Sequence, residues 1–556
     1  MPDVSANRKL SGRTTIFPVI LALFHAMMYL PSCHPPHPVP HLQKTGHTTQ
    51  LVVDGKPFII LGGETGNSSA TTPAYMNTIW PTIRAMNLNT VLVPVYWELV
   101  EPEEGTFDFS LVRQIIAEAR KNKVRIIFLW FASWKNSMSC YAPAWIKLNH
   151  DRFPRVKDEK DRSHEILTPF SENNLQADLR AFEELMRVIR DFDGKRHTVI
   201  MIQVENEIGM LPSARDYHPL ANEAFKQDVP ARLIQYMMAH RDKLAPEFRD
   251  LWAKNGYKAR GNWEEVFGTG LHTDEIFMAW HYAKYVDTIA KAGKKMYPLP
   301  MYVNAALNRP GREPGSDYPS GGPLPHLMDV WKAAAPSIDF LAPDIYFSNF
   351  KQWCDLYTRQ GDPLFIPEHR FDHTAGSKSL YAVAHYRALG FAPFSIESAV
   401  NPENEPLGKI YRLMSQITPL ITSCQATGTV EGALLDREQC DTIIHMGGYT
   451  FTLRHDYTLG WSPGAEAAAW PHAGAILMQT ADDEFFIAGT GIVAEVQPRH
   501  DGSLNAGILT AEEGWFENDR WRIIRHLNGD QTHQGRHVRI PAGENMIQKF
   551  TLFTYK

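Results

Sequence analysis

From about residue 51 onward, short apolar runs rich in β-branched residues alternate with longer stretches whose apolar positions recur at helical spacing. Eight such runs stand out, at 58–64, 90–97, 124–130, 198–205, 298–304, 338–346, 363–368 and 391–396. Each is nearly continuous in apolar character, the pattern of a strand covered on both faces. Helical segments lie between them, among them 111–122, 174–192 and 274–292, and another at 406–418 follows the last run. This alternation predicts parallel strands joined by crossover helices. Eight units in roughly 360 residues fit an α/β fold of the (β/α)8 TIM-barrel type with insertions. A doubly wound open sheet is the alternative, but the first run is followed by Gly62-Gly63-Glu64-Thr65-Gly66, without the G-x-G-x-x-G spacing. The segment 210–273 after the fourth run reads as an inserted excursion, either a wall of the cleft or extra packing.

After about residue 423 the helical period disappears. Short strand-like runs separated by Gly, Asp and Asn turns take over, as at 449–453, 475–479, 484–488, 521–524 and 549–553. They predict a C-terminal antiparallel β-sandwich domain.

The N-terminus has a different texture. Arg8, Lys9 and Arg13 precede an apolar stretch at 16–30 that is short for a membrane span and ends in Leu30-Pro31-Ser32-Cys33. This resembles a bacterial lipoprotein signal, which implies lipidation at Cys33 and an exported protein anchored to a membrane by lipid alone. A plain secretory signal is the alternative. The following His34-Pro35-Pro36-His37-Pro38-Val39-Pro40-His41 reads as a semi-rigid spacer. The expected division is therefore 1–32 signal peptide, 33–50 linker, 51–422 barrel and 423–556 β-domain.

Composition narrows the function. The formal net charge is −6 and no long basic run occurs, which argues against a nucleic-acid partner. Cys140, Cys354, Cys424 and Cys440 form no C-x-x-C pair, so no zinc knuckle or redox motif is indicated, and one disulfide of unspecified pairing is open. No H-E-x-x-H and no G-x-S-x-G occurs, so neither a metal centre nor a serine nucleophile is expected, and no cofactor. The 14 Trp and 20 Tyr suit sugar rings, although core burial accounts for most of them.

In a TIM barrel the catalytic groups project from the C-terminal strand ends. The fourth run ends in Glu205-Asn206-Glu207 and the seventh in Pro367-Glu368-His369. Polar groups closing an apolar strand are costly unless they face a polar cavity. Two carboxyls facing each other across a barrel mouth suit glycoside hydrolysis, where one donates a proton and the other attacks. Glu64, Trp134, Asn136 and Asn304 also fall at strand ends, as sugar contacts or as structural caps. Glu101 reads as a structural turn acid, Glu205 as a support for a neighbouring strand, and Glu397 as a rival nucleophile.

Gln203-Val204-Glu205-Asn206-Glu207-Ile208-Gly209 resembles the Gln-hydrophobic-Glu-Asn-Glu-aromatic-Gly motif of glycoside hydrolase family 35, the β-galactosidases. Trp97 with Glu101-Pro102-Glu103-Glu104-Gly105-Thr106-Phe107-Asp108-Phe109, and Pro143-Ala144-Trp145, resemble further elements of that family. Ile208 stands where the family has an aromatic residue. Residues 63–69 and 131–136 replace its usual His-Tyr-Arg and Asn-Ala-Glu elements. The resemblance is to a divergent bacterial subgroup with a C-terminal β-domain, similar to xyloglucan-side-chain galactosidases. It implies Glu207 as acid/base, Glu368 as nucleophile, Asn206 as donor to the sugar 2-hydroxyl and Tyr346 as a partner of Glu368. The implied activity is retaining, exo-acting removal of terminal β-D-galactosyl residues from plant-type oligo- or polysaccharides. A related β-glucosidase or β-mannosidase, or a non-catalytic glycan-binding lipoprotein, are the alternatives.

Overall fold

A computed structural model describes residues 38–309, 311–500 and 502–556. The expected signal peptide, Cys33 and most of the Pro/His-rich segment lie outside these residues. The linker does not run on to residue 50: His41–Thr45, Thr48–Val53 and Lys56–Phe58 form a small antiparallel sheet. It is ordered by contacts that no local pattern reveals. Leu51 and Val53 join the main core, and Gln50 donates to the Thr422 carbonyl at 2.8 Å. Asp54, in the turn of this sheet, pairs with Arg125 and His197 at the N-terminal ends of the third and fourth barrel strands. The sheet thus lies against the end of the barrel opposite the strand C-termini.

The eight expected strands form the barrel in chain order. They are Ile60–Glu64, Thr90–Tyr96, Arg125–Lys135, Val199–Asn206, Met301–Ala306, Phe340–Ile345, a seventh in two pieces, and Gly390–Phe391. All neighbouring pairs are parallel, and Gly390 opposite Ile60 closes the ring. The seventh strand is broken at Pro367, which has no N–H to give to the ladder. Phe365–Ile366 pairs with the eighth strand, and Glu368–His369 with the sixth. The nucleophile candidate therefore begins the second piece.

Crossover helices cover the barrel. Glu172–Asp193 starts at Ser171, whose side chain accepts from the Asn174 N–H, and buries Ala177, Ala181, Phe182, Leu185, Met186 and Ile189 at helical spacing. The last helix, Pro406–Thr427, runs past the expected stop at 418. Pro419 is accommodated within it because Ile421, Cys424 and Gln425 are buried on the barrel side, so packing outweighs the lost backbone bond. Gly428, at φ +76°, ends it in the left-handed conformation. The excursion after strand four contributes four short helices, Pro219–Phe225, Ala231–Ala239, Pro246–Lys254 and Trp263–Phe267.

The C-terminal domain, from Val430, is a sandwich of a six-stranded and a four-stranded antiparallel sheet. Alternate residues explain its arrangement. Ala433, Leu435, Ala475 and Leu477 face the core between the sheets, whereas Val430, Leu434, Ile476 and Met478 belong to the barrel's core. The strands at 430–435 and 473–478 are thus buried on both faces, which is why 475–478 is continuously apolar. Gly474 permits the approach, since a Cβ there would meet the Ser377 backbone at 2.9 Å. No disulfide links the four described cysteines.

Candidate active site

The fourth strand is buried along its whole length and ends in a kink. Glu205 and Glu207 both have left-handed backbones, at φ +62° and +45°, each costing roughly 1–3 kcal/mol for a non-glycine residue. Surrounding hydrogen bonds impose this conformation. The Glu207 N–H donates to Asn304 Oδ1 at 3.0 Å, and the Ser137 hydroxyl donates to the Glu207 carbonyl. Gln203 Nε2 donates to the Glu205 carbonyl at 3.0 Å. The result turns the Asn206 and Glu207 side chains out of the strand pattern at the barrel mouth.

One carboxylate oxygen from each of Glu207, Asp344 and Glu368 lies within 4.8 Å of the other two. Such a group could also receive a cation, and two of the three acids have hydrogen-bond partners of their own. Tyr346, following strand six, donates its hydroxyl to Glu368 Oε1. Asn304 Nδ2 donates to Asp344 Oδ2 at 2.6 Å. Asn304 therefore bridges strand ends four and six, in keeping with the structural-cap reading of this residue.

Lys135, at the end of strand three and 5% exposed, supplies positive charge. Its ammonium donates to Asn206 Oδ1 at 2.7 Å and to Asn136 Oδ1, and no carboxylate among the described residues is within ion-pair distance. This bond fixes the Asn206 amide. Its Nδ2 is left buried without a protein partner, and an orphaned donor of this kind is costly until a ligand satisfies it. Asn136 is exposed at φ +53° beside the lysine. Glu64 is fully buried with neither carboxyl oxygen hydrogen-bonded.

Burial raises all four of these acids, and their neighbours modify the shift. Burial and then the Glu368 charge raise Glu207 to about 7, while Lys135 opposes the shift. Burial also raises Glu368, against Lys135 and the Tyr346 hydrogen bond, both of which favour its anion. Glu64 and Asp344 are pushed well above the usual carboxylate range by burial and then by Glu368. Glu207 is thus poised to hold or release a proton near neutrality, while Lys135 and Tyr346 support the Glu368 anion against its burial.

Trp134 is not a sugar platform. Its ring is fully buried and meets Tyr282 and Tyr285 edge-on, at 5.3 and 4.8 Å between centroids. The cause is the third strand, which runs to Lys135 rather than ending at 130, so that Trp134 is a strand residue facing the helix layer. Glu205 acts on that strand, accepting from the Trp134 N–H at 2.9 Å. Its carboxyl also bonds Asp178, which receives Trp130 Nε1 at 2.8 Å and the Ser133 hydroxyl at 2.6 Å. Glu101 accepts from Trp97 Nε1 and the Gly105 N–H and so holds its own turn. Glu397 accepts from the Gly66 N–H at 2.7 Å and from the Ser69 hydroxyl, tying down the loop after strand one.

Two site residues escaped the sequence reading. Asp344 caps an apolar run as Glu368 does, which was a usable signal; Tyr346, two positions on, drew the attention instead. Lys135 was hidden by the early end given to strand three.

Residues 71–278 match a glycoside hydrolase family 42 profile described as beta-galactosidase, and residues 407–539 match a domain of unknown function (DUF5597). A curated beta-galactosidase from Xanthomonas manihotis is 30% identical over 204 residues, 35% of this chain and 31% of the relative. The matched region thus spans about a third of that relative's length. Among solved structures, the beta-galactosidase from Bacillus circulans sp. alkalophilus aligns over 65% of this chain and 57% of its own, at 14% identity and a TM-score of 0.45. That from the psychrophilic Marinomonas ef1 aligns over 66% and 61%, at 12% identity and a TM-score of 0.45. The sequence matches support a β-galactosidase-like glycoside hydrolase, and none of them singles out the family 35 subgroup.

Proposed function

We propose that this protein is a retaining, exo-acting β-galactosidase that removes terminal non-reducing β-D-galactosyl residues from plant-type oligo- or polysaccharides. The observation that carries the reading is the pair Glu207 and Glu368, on strand ends four and seven with oxygens within 4.8 Å. Retaining glycosidases hold their carboxyls about 5–5.5 Å apart, whereas inverting ones leave about 6.5–9.5 Å for a water molecule. Galactose as the cleaved sugar rests on the sequence matches and on the strand-two and strand-four motifs.

The chemistry follows from the proton states. Glu368 attacks the anomeric carbon while Glu207 gives its proton to the departing oxygen, leaving a glycosyl ester on Glu368. Glu207, now ionised, takes a proton from water as the water displaces Glu368. Tyr346 holds the Glu368 carboxylate in place. The free Asn206 Nδ2–H is available to the sugar 2-hydroxyl, a contact that strengthens in the transition state.

Two experiments test this reading. Proton NMR of a β-galactoside digest is expected to show the β-anomer of galactose first, and first appearance of the α-anomer refutes retention. In a panel of nitrophenyl glycosides the β-galactoside is expected to be the best substrate. A faster β-glucoside or β-mannoside moves the protein to another specificity, and long fragments from a polysaccharide without free galactose refute exo action.

Lys135 gives a separate prediction. Its charge lowers the pKa of both Glu368 and Glu207. The acid limb of kcat/KM requires Glu368 ionised and the alkaline limb requires Glu207 protonated. Lys135→Met is therefore expected to move both limbs upward by about one pH unit, since an opposite charge a few ångströms away shifts a carboxyl by that much or more. Lys135→Arg should restore the profile. A lower rate with unmoved limbs would assign Lys135 a purely structural role.

A further inference from the structure

A cavity of about 560 Å³ opens beside Tyr346, within the usual size range of small-molecule clefts. Its walls come from both domains. Tyr346, Arg370 and Lys378 line it from the barrel, and Asp436, Glu438 and His472 from the β-domain. It adjoins the reaction centre, because Tyr346 reaches Glu368 with its hydroxyl and receives Arg370 Nη2 on its carbonyl at 3.2 Å. The two domains are held together here: Ser377 donates to the His472 carbonyl at 2.9 Å, and Lys351 to Gln439 Oε1 at 2.7 Å.

The lining has unspent hydrogen-bonding capacity. Lys378 is 8% exposed, yet no carboxylate among the described residues pairs with it. Its ammonium meets His369 at Nε2 at 3.4 Å and lies over the Phe350 ring at 5.5 Å, contacts that leave hydrogen-bond donors free. Burial, followed by the Lys378 charge, lowers His369 to about 3 and keeps that ring neutral. His472 Nδ1 is buried with no partner. A buried polar group without a partner is costly, so a ligand that satisfies it is favoured.

The charges on the wall select the ligand class. Lys378 and Arg370 disfavour a cation, and Asp372, Asp436 and Glu438 disfavour an anion. Neutral hydroxyls, which both donate and accept, satisfy both signs. Half-buried Phe347 adds an apolar ring to the same wall.

We propose that this cavity is a leaving-group subsite built jointly by the barrel and the β-domain, taking neutral sugar units on the reducing side of the terminal galactosyl residue. The inference rests on the exo-acting reading above, since such an enzyme places one sugar beyond the scissile bond on the non-reducing side and all others on the leaving-group side. It also gives the β-domain a part in substrate recognition.

The test compares 4-nitrophenyl β-galactoside with β-1,4-galactobiose, galactotriose and galactotetraose. For the wild type kcat/KM is expected to rise with chain length. Lys378→Met and Glu438→Ala are each expected to lower kcat/KM for galactotetraose about tenfold relative to the nitrophenyl substrate, the effect of one charged hydrogen bond. Glu438 is exposed, so its variant guards against misfolding of the buried lysine's. Equal losses on both substrates, or no length dependence in the wild type, overturn the subsite. Failure of the functional reading shows separately, as no galactose released by the wild type from any substrate. In that event calorimetry of galactotetraose on Glu368→Gln decides. Binding weakened by Glu438→Ala supports the cavity, and absent or unaffected binding overturns it.

Discussion

Glu368→Ala is expected to reduce turnover of every β-galactoside by at least about 10⁴-fold, the scale on which removal of a covalent nucleophile acts, and to do so whatever the leaving group. Its neighbours are poorly placed to substitute for it. Burial and the Glu368 charge push Asp344 and Glu64 well above the usual carboxylate range, Asp344 is bound to Asn304, and Glu64 has no hydrogen bond to orient it. Glu397, the rival on the strand-eight side, spends one oxygen on Gly66 and Ser69. A 2-deoxy-2-fluoro-β-galactoside with a good leaving group measures this directly, because it forms a slowly hydrolysed ester with the nucleophile. Intact mass should rise by one sugar for the wild type and stay unchanged for Glu368→Ala. Peptide mapping should place the label on Glu368, and a label on Glu397 would overturn the assignment.

The strand ends explain why so much of this site could be read from residues alone. Apolar strands covered on both faces leave a strong signal, and a carboxyl at the end of such a run is conspicuous. The pairs Asn206-Glu207 and Pro367-Glu368 were found in this way, and Tyr346 stands on Glu368 as the resemblance implied. What was lost depended on where a strand stops, which periodicity fixes poorly. Strand three continues through Phe131, Ala132 and Ser133 to Lys135. Read as a loop, that stretch made Trp134 look like a mouth aromatic and concealed the lysine. Tertiary contacts decided what local pattern left open. Asn304 is a bridge because Asp344 stands beside it, and the helix from Pro406 passes Pro419 because its far end packs into the core. Strand seven was foreseen as one run. Its break at Pro367 divides the ladder between two neighbours, so the strand is interrupted at the residue that precedes Glu368.

Glu207→Ala is expected to behave differently from Glu368→Ala, and the contrast separates the two roles. With a poor leaving group, such as a second sugar, the loss should be about 10²–10⁴-fold, the contribution of a positioned general acid. A dinitrophenyl β-galactoside needs little protonation as it departs, so its first step should remain fast. Water attack in the second step still needs a base, and the glycosyl ester should accumulate, visible as a burst of dinitrophenolate. The alkaline limb of the profile with poor leaving groups, set by Glu207 near pH 7 in the wild type, should disappear in the variant. Azide attacks without a base. It should restore turnover in Glu207→Ala by entering the space the side chain has left, on the face opposite Glu368, and the product should be the β-galactosyl azide. In Glu368→Ala the same anion fills the nucleophile's place and can give only the α-azide. The two products depend on which side of the ring each carboxyl occupies, not on how much activity either variant keeps. An α-azide from Glu207→Ala would exchange the two assignments.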